Sequence, residues 1–568
     1  MKSEIIGGEL VAQQLKKENI NTVFALIGNH VSPILVHLND YGIKIIHTRH
    51  EQGAVHMADG WAQTTHKPGV VIVCGGPGFS NTFTGIIKAY FAQTPLVIIA
   101  GAHVTNTRDT GGVQDLDQLS IIRPYTKWAR TVYDAKRIPE YIGRALQIAS
   151  EGRKGPVVLE MPTNVLRQVV GEDVPEYSCN LLSCNVTLPS AEAIDKFIDI
   201  ISHSQKPIII AGDEIYYNHA EKKLNEFVNL TQIPIFTVNK ARGSVADTHP
   251  LCMGSGRTFE GGPQLYAYQN ADTVIIIGVE NDYQMNQFKP PAFSGKQRFI
   301  SVSRDINRIL ITDLRPELVL EGNTDKVLEQ MNRRLQEIPL QCDFSEWLSQ
   351  LKESKSKFWD VLRTENEDRN GAYVNPLNCI MEIQKLIDKD AIIVLDGSNA
   401  MFWGAACFQC NCPGQLVIAP DGSYGPIGTG VSIAIGVKAA NPDKEVVLYT
   451  GDGSFGFNAM EMDTAVRFNL PIIVFIHNDE AWGFCKTTQQ MLFDKTSAAD
   501  LGTVRYDEMV KALGGYGELV TDLNFLRDSI IRAKESKLPA CINIMMDKDA
   551  LSPGTKYLNS LVKFKQNY

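Results

Sequence analysis

The stretch Gly451-Asp452-Gly453-Ser454, followed after helix-like and strand-like segments by Asn478-Asp479-Glu480-Ala481, decides the fold that this sequence predicts. The apolar, β-branched run 446–450 predicts a buried parallel strand that ends at the glycines. A second apolar run, 470–476, predicts a neighbouring strand that ends at Asp479. Parallel strands end at the same sheet edge, so the pattern indicates an α/β domain with acidic side chains gathered at that edge.

These residue types suit a metal–diphosphate site. Glycines on both sides of Asp452 let the backbone approach a phosphate closely, and Ser454 offers a hydroxyl and an amide where the next helix begins. The carboxylates of Asp452 and Asp479 and the carbonyl of Ala481 would leave room on an octahedral Mg²⁺ for two diphosphate oxygens and a water. The alternative is that Gly-Asp-Gly is only a turn.

The alternation of strand and helix patterns continues along the chain and predicts an α/β protein of three doubly wound parallel-sheet domains. The expected domains are 1–172, 186–340 and 370–550, with a polar linker at 173–185 and a tail, 551–568, that is peripheral or a lid. The predicted strands are 22–26, 44–47, 69–74, 96–100 and 157–160, then 207–212, 233–237, 273–278 and 298–302, and finally 391–395, 446–450, 470–476 and 540–544.

Composition narrows the possible partners and compartment. A net charge of −9 gives no basic patch that would attract nucleic acid or an anionic membrane. The sequence shows no secretory signal and no run of transmembrane length, so we expect a cytoplasmic protein whose cysteines are reduced. Cys407, Cys410 and Cys412 have zinc-like spacing but lack a nearby fourth ligand, which favours free thiols near a surface loop.

Several motifs together resemble those of thiamine diphosphate (ThDP) enzymes. The family signature is Gly-Asp-Gly-Ser followed by Asn-Asn; here Asp479 replaces the second asparagine, which keeps an oxygen ligand and adds a negative charge. Further shared motifs are Arg49-His50-Glu51-Gln52-Gly53-Ala54, Gly75-Gly76-Pro77-Gly78 with Asn81, Asp396-Gly397-Ser398-Asn399 and Gly422-Ser423-Tyr424-Gly425-Pro426-Ile427-Gly428. Over the whole chain the sequence resembles the acetolactate synthase-like superfamily, most closely its benzaldehyde lyase branch.

The resemblance implies a role for each matching residue. Glu51 would bind the ring nitrogen N1′ of the aminopyrimidine and so promote loss of the thiazolium C2 proton. Gly425 would accept the 4′-amino proton through its carbonyl, and Ile427 would separate the two rings. The residues expected to approach the pyrimidine or the diphosphate are Pro77, Asn81, Gly397, Ser398, Asn399, Gly453 and Ser454.

On the substrate side, His30 and Gln118 match the active-site histidine and glutamine of the lyase branch. His30 is a candidate proton shuttle. Asn29 stands at a position that is small and apolar in the lyase, and its amide could hold a carboxylate. The resemblance therefore implies a lyase or carboligase of 2-hydroxy ketones and aldehydes, with possible decarboxylation of 2-keto acids.

Two other functions stay open. An acetolactate synthase-type enzyme would condense 2-keto acids, but Thr488 stands near the position of that enzyme's tryptophan and Lys486 replaces an expected arginine. A non-catalytic ThDP-binding protein is the other alternative, suggested by Asp479.

The expected cofactors are ThDP and Mg²⁺. FAD is not expected, because Gly212-Asp213 lacks a glycine-rich phosphate turn and Glu280 stands where flavin-binding relatives carry arginine. In the family the two cofactor-binding domains come from different subunits, so the resemblance implies at least a homodimer and, as is common, a homotetramer.

Overall fold

A computed structural model describes residues 5–171, 174–175, 177, 186–305, 312–367 and 373–566. Three six-stranded parallel sheets follow one another along these residues, each flanked by helices. The predicted α/β class with three parallel-sheet domains is thereby confirmed. The predicted domain bounds stay predictions, and the linker 173–185 lies almost entirely outside the described residues.

The first domain contains the sheet β3-β2-β4-β5-β7-β6 and a short antiparallel pair, β1 with β8. Its strands are β1 (Ile5–Ile6), β2 (Thr22–Ala25), β3 (Lys44–His47), β4 (Gly69–Val73), β5 (Leu96–Ala102), β6 (Trp128–Thr131), β7 (Pro156–Pro162) and β8 (Val169–Val170). Its α-helices are α1 (Gly7–Lys17), α2 (Ser32–Leu38), α3 (Glu51–Thr65), α4 (Pro77–Ser80), α5 (Phe83–Phe91), α6 (Gln118–Ile122), α7 (Ile138–Ser150) and α8 (Thr163–Leu166).

The second domain is built on the sheet β11-β10-β9-β12-β13-β14. Its strands are β9 (Pro207–Ala211), β10 (Ile235–Thr237), β11 (Cys252–Ser255), β12 (Thr273–Ile277), β13 (Arg298–Ser303) and β14 (Leu318–Glu321). The helices of this part of the chain are α9 (Ala191–Ser202), α10 (Asp213–Tyr217), α11 (Glu221–Thr231), α12 (Gln264–Asn270) and α13 (Thr324–Glu337), with α14 (Ser345–Glu367) leading towards the third domain.

The third domain is built on the sheet β16-β15-β17-β18-β20-β19. Its strands are β15 (Ile392–Leu395), β16 (Leu416–Ile418), β17 (Val446–Gly451), β18 (Ile473–Asn478), β19 (Tyr516–Val520) and β20 (Ala540–Met545). Its helices are α15 (Pro376–Leu386), α16 (Asn399–Cys407), α17 (Gly430–Ala440), α18 (Asp452–Asn458), α19 (Glu461–Arg467), α20 (Gly483–Phe493), α21 (Tyr506–Ala512), α22 (Leu523–Ser536) and α23 (Pro553–Gln566).

The strands that sequence patterns missed are mostly at sheet edges. Both edge strands of the third sheet, β16 and β19, were missed, as were β6, β11 and β14. In the second sheet, β14 pairs in parallel beyond β13, the last strand that sequence patterns predict there. Edge strands pair on one side only, so they are short and carry weaker apolar runs than central strands.

Helices α3 and α17 pack directly against each other and join the first domain to the third. Gly60 of α3 lies against the carbonyl of Ile433, and Gly436 of α17 lies against the carbonyl of Met57. A hydrophobic core continuous between the two domains surrounds this contact. The contact orients the N-terminus of α3, where Glu51 lies, relative to the third domain.

We expect Gly436→Ala to destabilise the protein by about 1–3 kcal/mol or more, because overpacking forces the backbone to shift. An added Cβ would lie 1.9 Å from the carbonyl oxygen of Met57. Gly171→Ala is the matched control, since its Cβ would meet nothing within 4 Å. Denaturant unfolding of both variants measures the difference, and equal stability would contradict the close contact.

The C-terminal helix α23 is packed against the body of the chain rather than peripheral. Gly554 lies against the carbonyl of Phe259 and the ring of Phe402, and the hydroxyl of Thr555 donates to Asn399 Oδ1 at 3.3 Å. The helix thus contacts a residue predicted to bind the diphosphate. Among the helices of the described residues, none has the length and apolar character needed to cross a membrane.

Candidate active site

A cavity at the carboxyl edge of the third sheet gathers most of the residues predicted for the metal and diphosphate. It lies where β17 and β18 end and α16, α18 and α20 begin. The lining includes Ser398, Asn399, Ile427, Asp452, Gly453, Ser454, His477, Asp479, Ala481 and Trp482. Motifs distant in sequence therefore form one site. Among the described residues that line it, none comes from the first domain.

Asp452 and Asp479 form a pair of buried carboxylates, 2% and 7% exposed. Burial, together with the charge of Asp479, raises the pKa of Asp452 to about 8. Burial also raises the pKa of Asp479 to about 6, and hydrogen bonds from Asn399 and from the amide of Ala481 oppose that shift. Two acidic groups buried together disfavour each other's charge, and a cation between them would relieve this cost.

This donor set fits a hard divalent cation that also binds phosphate. Carboxylate oxygens are preferred ligands of Mg²⁺, which keeps positions for water and phosphate oxygens. Next to the pair, Ser454 lies in the first turn of α18, where free backbone N–H groups attract anions. The structure places the amide of Ala481 towards both carboxylates, and a metal bond through its carbonyl stays a prediction.

At two positions of the site, neighbouring atoms lie so close that only glycine fits without strain. A Cβ on Gly453 would lie 2.5 Å from the ring of Trp482. Gly397 has a φ of +89°, and its Cβ would lie 3.0 Å from Ser454 Oγ. A side chain at Gly453 would therefore clash with the indole, and one at Gly397 would be strained in its backbone conformation.

Asp396 holds the loop 421–428 in place. Its buried carboxylate accepts hydrogen bonds from the amides of Gly397 at 2.6 Å, Gly428 at 3.2 Å and Gly430 at 2.8 Å. On the other side of the loop, Asn458 Nδ2 donates to the carbonyl of Gly428 at 2.5 Å. The end of the loop that follows Ile427 is therefore fixed by side chains from two different elements.

We expect Asp396→Asn to cost about 1–3 kcal/mol of stability, because a carboxamide can no longer accept all three amides and one buried donor loses its partner. Asp390→Asn is the control, since this exposed residue pairs loosely with Lys444 at 3.8 Å. Denaturant titration of the two variants compares them. Equal midpoints would show that the three hydrogen bonds do not anchor the loop.

Glu51 is the first residue of α3, and Asn81 Nδ2 donates to its Oε2 at 2.9 Å. Glu461 of the third domain fixes the preceding backbone, because its carboxylate accepts from the amides of Arg49 at 3.1 Å and His50 at 3.0 Å. A Cβ on Gly53 would lie 2.5 Å from Glu461 Oε1, which explains the glycine in this motif. The structure thus brings Glu51 and Asn81 together, and their roles at the pyrimidine stay predictions.

His30 and Gln118 lie close together near the end of β5. Gln118 Nε2 donates to the carbonyl of Gly101 at 2.9 Å, and its Oε1 accepts from the amide of Gly76 at 3.2 Å. His30 packs on Gly101 and Gly75, and its buried Nδ1 has no hydrogen-bond partner among the described residues. Burial lowers the pKa of His30, with His103 and Arg167 adding to the effect. Asn29 is exposed.

Sequence patterns missed four residues that shape the site: Asp396, Asn458, Glu461 and His477. Asp396 belongs to one of the shared motifs, but its role depends on the amides of Gly428 and Gly430, more than 30 residues further along the chain. His477 lines the cavity, and its Nδ1 lies 2.9 Å from the hydroxyl of Tyr449. Burial lowers the pKa of His477 to about 3. No local pattern marks a residue whose partners are distant in sequence.

The chain has three parallel-sheet domains and a pair of buried carboxylates at the glycine-rich end of a strand. This combination is typical of a class of coenzyme-dependent α/β enzymes. Family models match all three domains: "Thiamine pyrophosphate enzyme, N-terminal TPP binding domain" at 5–121, the central domain at 194–331 and the C-terminal TPP binding domain at 396–544. Thiamine pyrophosphate (TPP) is another name for ThDP. The chain belongs to the thiamine pyrophosphate enzyme family and is a TPP-dependent enzyme.

The chain is similar over nearly its full length to curated relatives of two kinds. "Probable acetolactate synthase" of Mycobacterium bovis is 30% identical over 554 residues, 96% of each chain. "2-hydroxyacyl-CoA lyase 2" of Caenorhabditis elegans is 28% identical over 98% of this chain and 91% of its own. "2-hydroxyacyl-CoA lyase 1" of Mus musculus is 27% identical over 96% and 95%.

Proposed function

We propose that this enzyme is a ThDP- and Mg²⁺-dependent lyase or carboligase that cleaves or forms the C–C bond of 2-hydroxy carbonyl compounds. The observation that carries the proposal is the cavity that joins Asp452, Asp479 and Ile427 at one sheet edge. Bound ThDP supplies the electron sink for C–C bond cleavage. We expect the product to be an aldehyde or a new 2-hydroxy ketone.

The chain's own residues have distinct roles in this proposal. Asp452, Asp479 and Ala481 would hold Mg²⁺, and Glu51 would hold a proton at N1′ of the pyrimidine while Asn81 orients its carboxylate. The other cofactor contacts are Pro77, Gly397, Ser398, Asn399, Gly425, Ile427, Gly453 and Ser454. His30 moves a proton at the substrate hydroxyl, and Asn29 and Gln118 help to bind the substrate.

We propose that two subunits complete each active site. Glu51 is not among the described residues that line the cavity at Asp452, which is consistent with a partner supplying it. A homodimer is therefore the smallest active form, and pairs of dimers would form the homotetramer. We place the enzyme in the cytoplasm.

We do not expect flavin in the second domain. Asp213 and Glu214 follow the end of β9, and Glu280 follows β12, at the edge where a dinucleotide would bind. Glu280 pairs with Arg153 at 3.0 Å. Arg153 is therefore engaged by Glu280 instead of being available to the phosphates of a dinucleotide.

A second substrate class, 2-hydroxyacyl thioesters of coenzyme A, is favoured by a cleft beside the metal site. The cleft lies between α20 and α23 and reaches Asp479 and Ala481. Three lysines line it, Lys486, Lys548 and Lys556, and each also pairs with an acidic residue. Their ammonium groups could meet the phosphates of such a thioester, and two relatives bear the name of this lyase.

A substrate panel tests the proposal. Enzyme loaded with ThDP and Mg²⁺ is assayed for cleavage of benzoin, acetoin and a 2-hydroxyacyl-CoA, and for conversion of pyruvate into acetolactate. Aldehyde release from a 2-hydroxy carbonyl compound is the expected result. Acetolactate formation as the dominant reaction would replace our proposal with the synthase. ThDP binding without turnover of any substrate would favour the non-catalytic alternative, and resemblance to benzaldehyde lyase in particular predicts benzoin cleavage.

A further inference from the structure

A buried lysine of the second domain contacts all three domains. Lys240 is 5% exposed, and its Nζ lies 2.5 Å from Asp421 Oδ2 in the third domain. The same ammonium lies 3.0 Å from Asp213 Oδ2 in its own domain and 3.1 Å from the carbonyl of Ala92 in the first. Such a cation is costly to bury unless its partners are held in good geometry, so the three domains meet here in a defined arrangement.

Asp421 is the residue at which the loop 421–428 begins. Its Oδ1 accepts from the amide of Gly422 at 2.8 Å, while its Oδ2 binds Lys240. At the far end of the loop, Gly428 is fixed by Asp396 and Asn458. Between these anchors lies Ile427, which lines the cavity at Asp452 and Asp479.

The Lys240–Asp421 ion pair and the packing against Phe91 hold the same end of the loop 421–428. A Cβ on Gly422 would lie 2.6 Å from the carbonyl carbon of Phe91, and the ring of Tyr424 stacks on Phe91 at 6.4 Å. Burial alone would lower the pKa of Lys240, but Asp213 and Asp421 raise it well above its usual value. Lys240 in turn lowers the pKa of Asp421 against the effect of burial. Lys240 and Asp421 thus favour each other's charged form.

We propose that Lys240 is a positioning residue for the active site: through Asp421 it fixes the loop that carries Gly425 and Ile427 towards the coenzyme. The inference rests on the proposed function for the role of the loop, and it goes beyond that function by giving the second domain a part in catalysis. In this proposal the second domain acts without binding a ligand of its own.

We expect a large effect because, in the proposed function, the loop would carry Gly425 and Ile427 to the reacting half of the coenzyme. A displacement of about 1 Å in a positioning group can cost about 100-fold in rate. Without the ammonium, Asp421 keeps its bond to Gly422 but loses its link to the second domain. The first anchor of the loop then depends on Phe91 packing alone.

Lys240→Met and Asp421→Asn test the inference, with Asp213→Asn as the matched control. The control removes the second carboxylate of the same ammonium but leaves the bond from Lys240 to Asp421. The first readout is amide hydrogen exchange of the peptide spanning 420–430, measured without coenzyme. The second is deuterium exchange at C2 of bound ThDP in the presence of saturating Mg²⁺.

We expect faster amide exchange in the loop and about 100-fold slower C2 exchange in both test variants. Asp213→Asn should keep both rates near those of the wild type. Unchanged loop exchange in both test variants, or an equal effect in Asp213→Asn, would overturn the positioning role. Failure of the wild type to bind ThDP and Mg²⁺ would instead overturn the proposed function, so the two failures are distinguishable.

Lys240→Met leaves two buried carboxylates without their cation, and this variant alone can fail to fold. The double variant Lys240→Met/Asp421→Asn removes one of the two charges and is the second test. Its loop should exchange as fast as that of Asp421→Asn, because the two changes break the same link. An additive increase would show separate roles and would contradict the inference.

Discussion

Glu51→Gln should lower turnover by about 100- to 10,000-fold, the range expected when a positioned proton-transfer group is lost. The substitution preserves size and can still accept the hydrogen bond that Asn81 donates at 2.9 Å. A carboxamide cannot hold or release the proton that the proposed role at N1′ requires. The fold should therefore persist while activity falls, as measured by steady-state kinetics beside circular dichroism and melting temperature.

Glu9→Gln is the matched control in the same domain. Glu9 lies on α1 and accepts from the hydroxyl of Tyr41 at 2.7 Å, a contact that takes no part in the proposed site. Its turnover should stay near that of the wild type. Deuterium exchange at C2 of bound ThDP should be slow in Glu51→Gln only. Near-normal turnover of Glu51→Gln would remove this glutamate from the mechanism.

Asp452→Ala should abolish stabilisation of the enzyme by ThDP together with Mg²⁺. A ligand present at about 100 times its Kd, and bound only by the folded state, contributes about 2.7 kcal/mol to the wild type. The variant lacks one of the two buried carboxylates proposed to hold the cation, so the coenzyme diphosphate loses its main positive partner. Thermal unfolding with and without ThDP and Mg²⁺ measures the shift, and a chelator should remove it from the wild type.

Asp443→Asn, at an exposed position before β17, is the control and should keep the full shift. The stability of the metal-free protein provides a second, independent test. Burial, with the charge of Asp479, raises the pKa of Asp452 from 3.8 to about 8, so above pH 3.8 the metal-free wild type must keep this carboxyl protonated or bury its charge. Asparagine avoids that cost, so without Mg²⁺ Asp452→Asn should be more stable than the wild type at neutral pH. A full ThDP–Mg²⁺ shift in Asp452→Ala would contradict the metal site that we propose.

The charge at the edge of the second domain depends on contacts between domains that the sequence does not show. The sequence predicts that Glu280 opposes a dinucleotide, and the structure pairs this residue with Arg153 of the first domain. No sequence pattern indicates a role for Lys240, because a lysine between apolar strands is not distinctive. Its importance comes from Asp421, which lies 181 residues further along the chain.

The cysteine cluster shows the limit of spacing arguments. Free thiols near a surface loop were expected at Cys407, Cys410 and Cys412. The structure instead buries Cys407 and Cys410 and leaves only Cys412 partly exposed. Burial raises the pKa of Cys410 to about 12 and so disfavours its thiolate. Burial in the core depends on packing partners that spacing does not reveal.

The sequence by itself determined the α/β class, the central strands and the residues that end them. These features are local: an apolar β-branched run favours a buried strand, and glycine beside aspartate suits a tight phosphate-binding turn. Only the tertiary structure decided how Glu461 fixes the backbone before Glu51, how Asp396 and Lys240 anchor the loop at both ends, and how α3 meets α17. Those contacts join residues far apart in the chain, and their energies depend on burial and geometry that exist only in the folded protein.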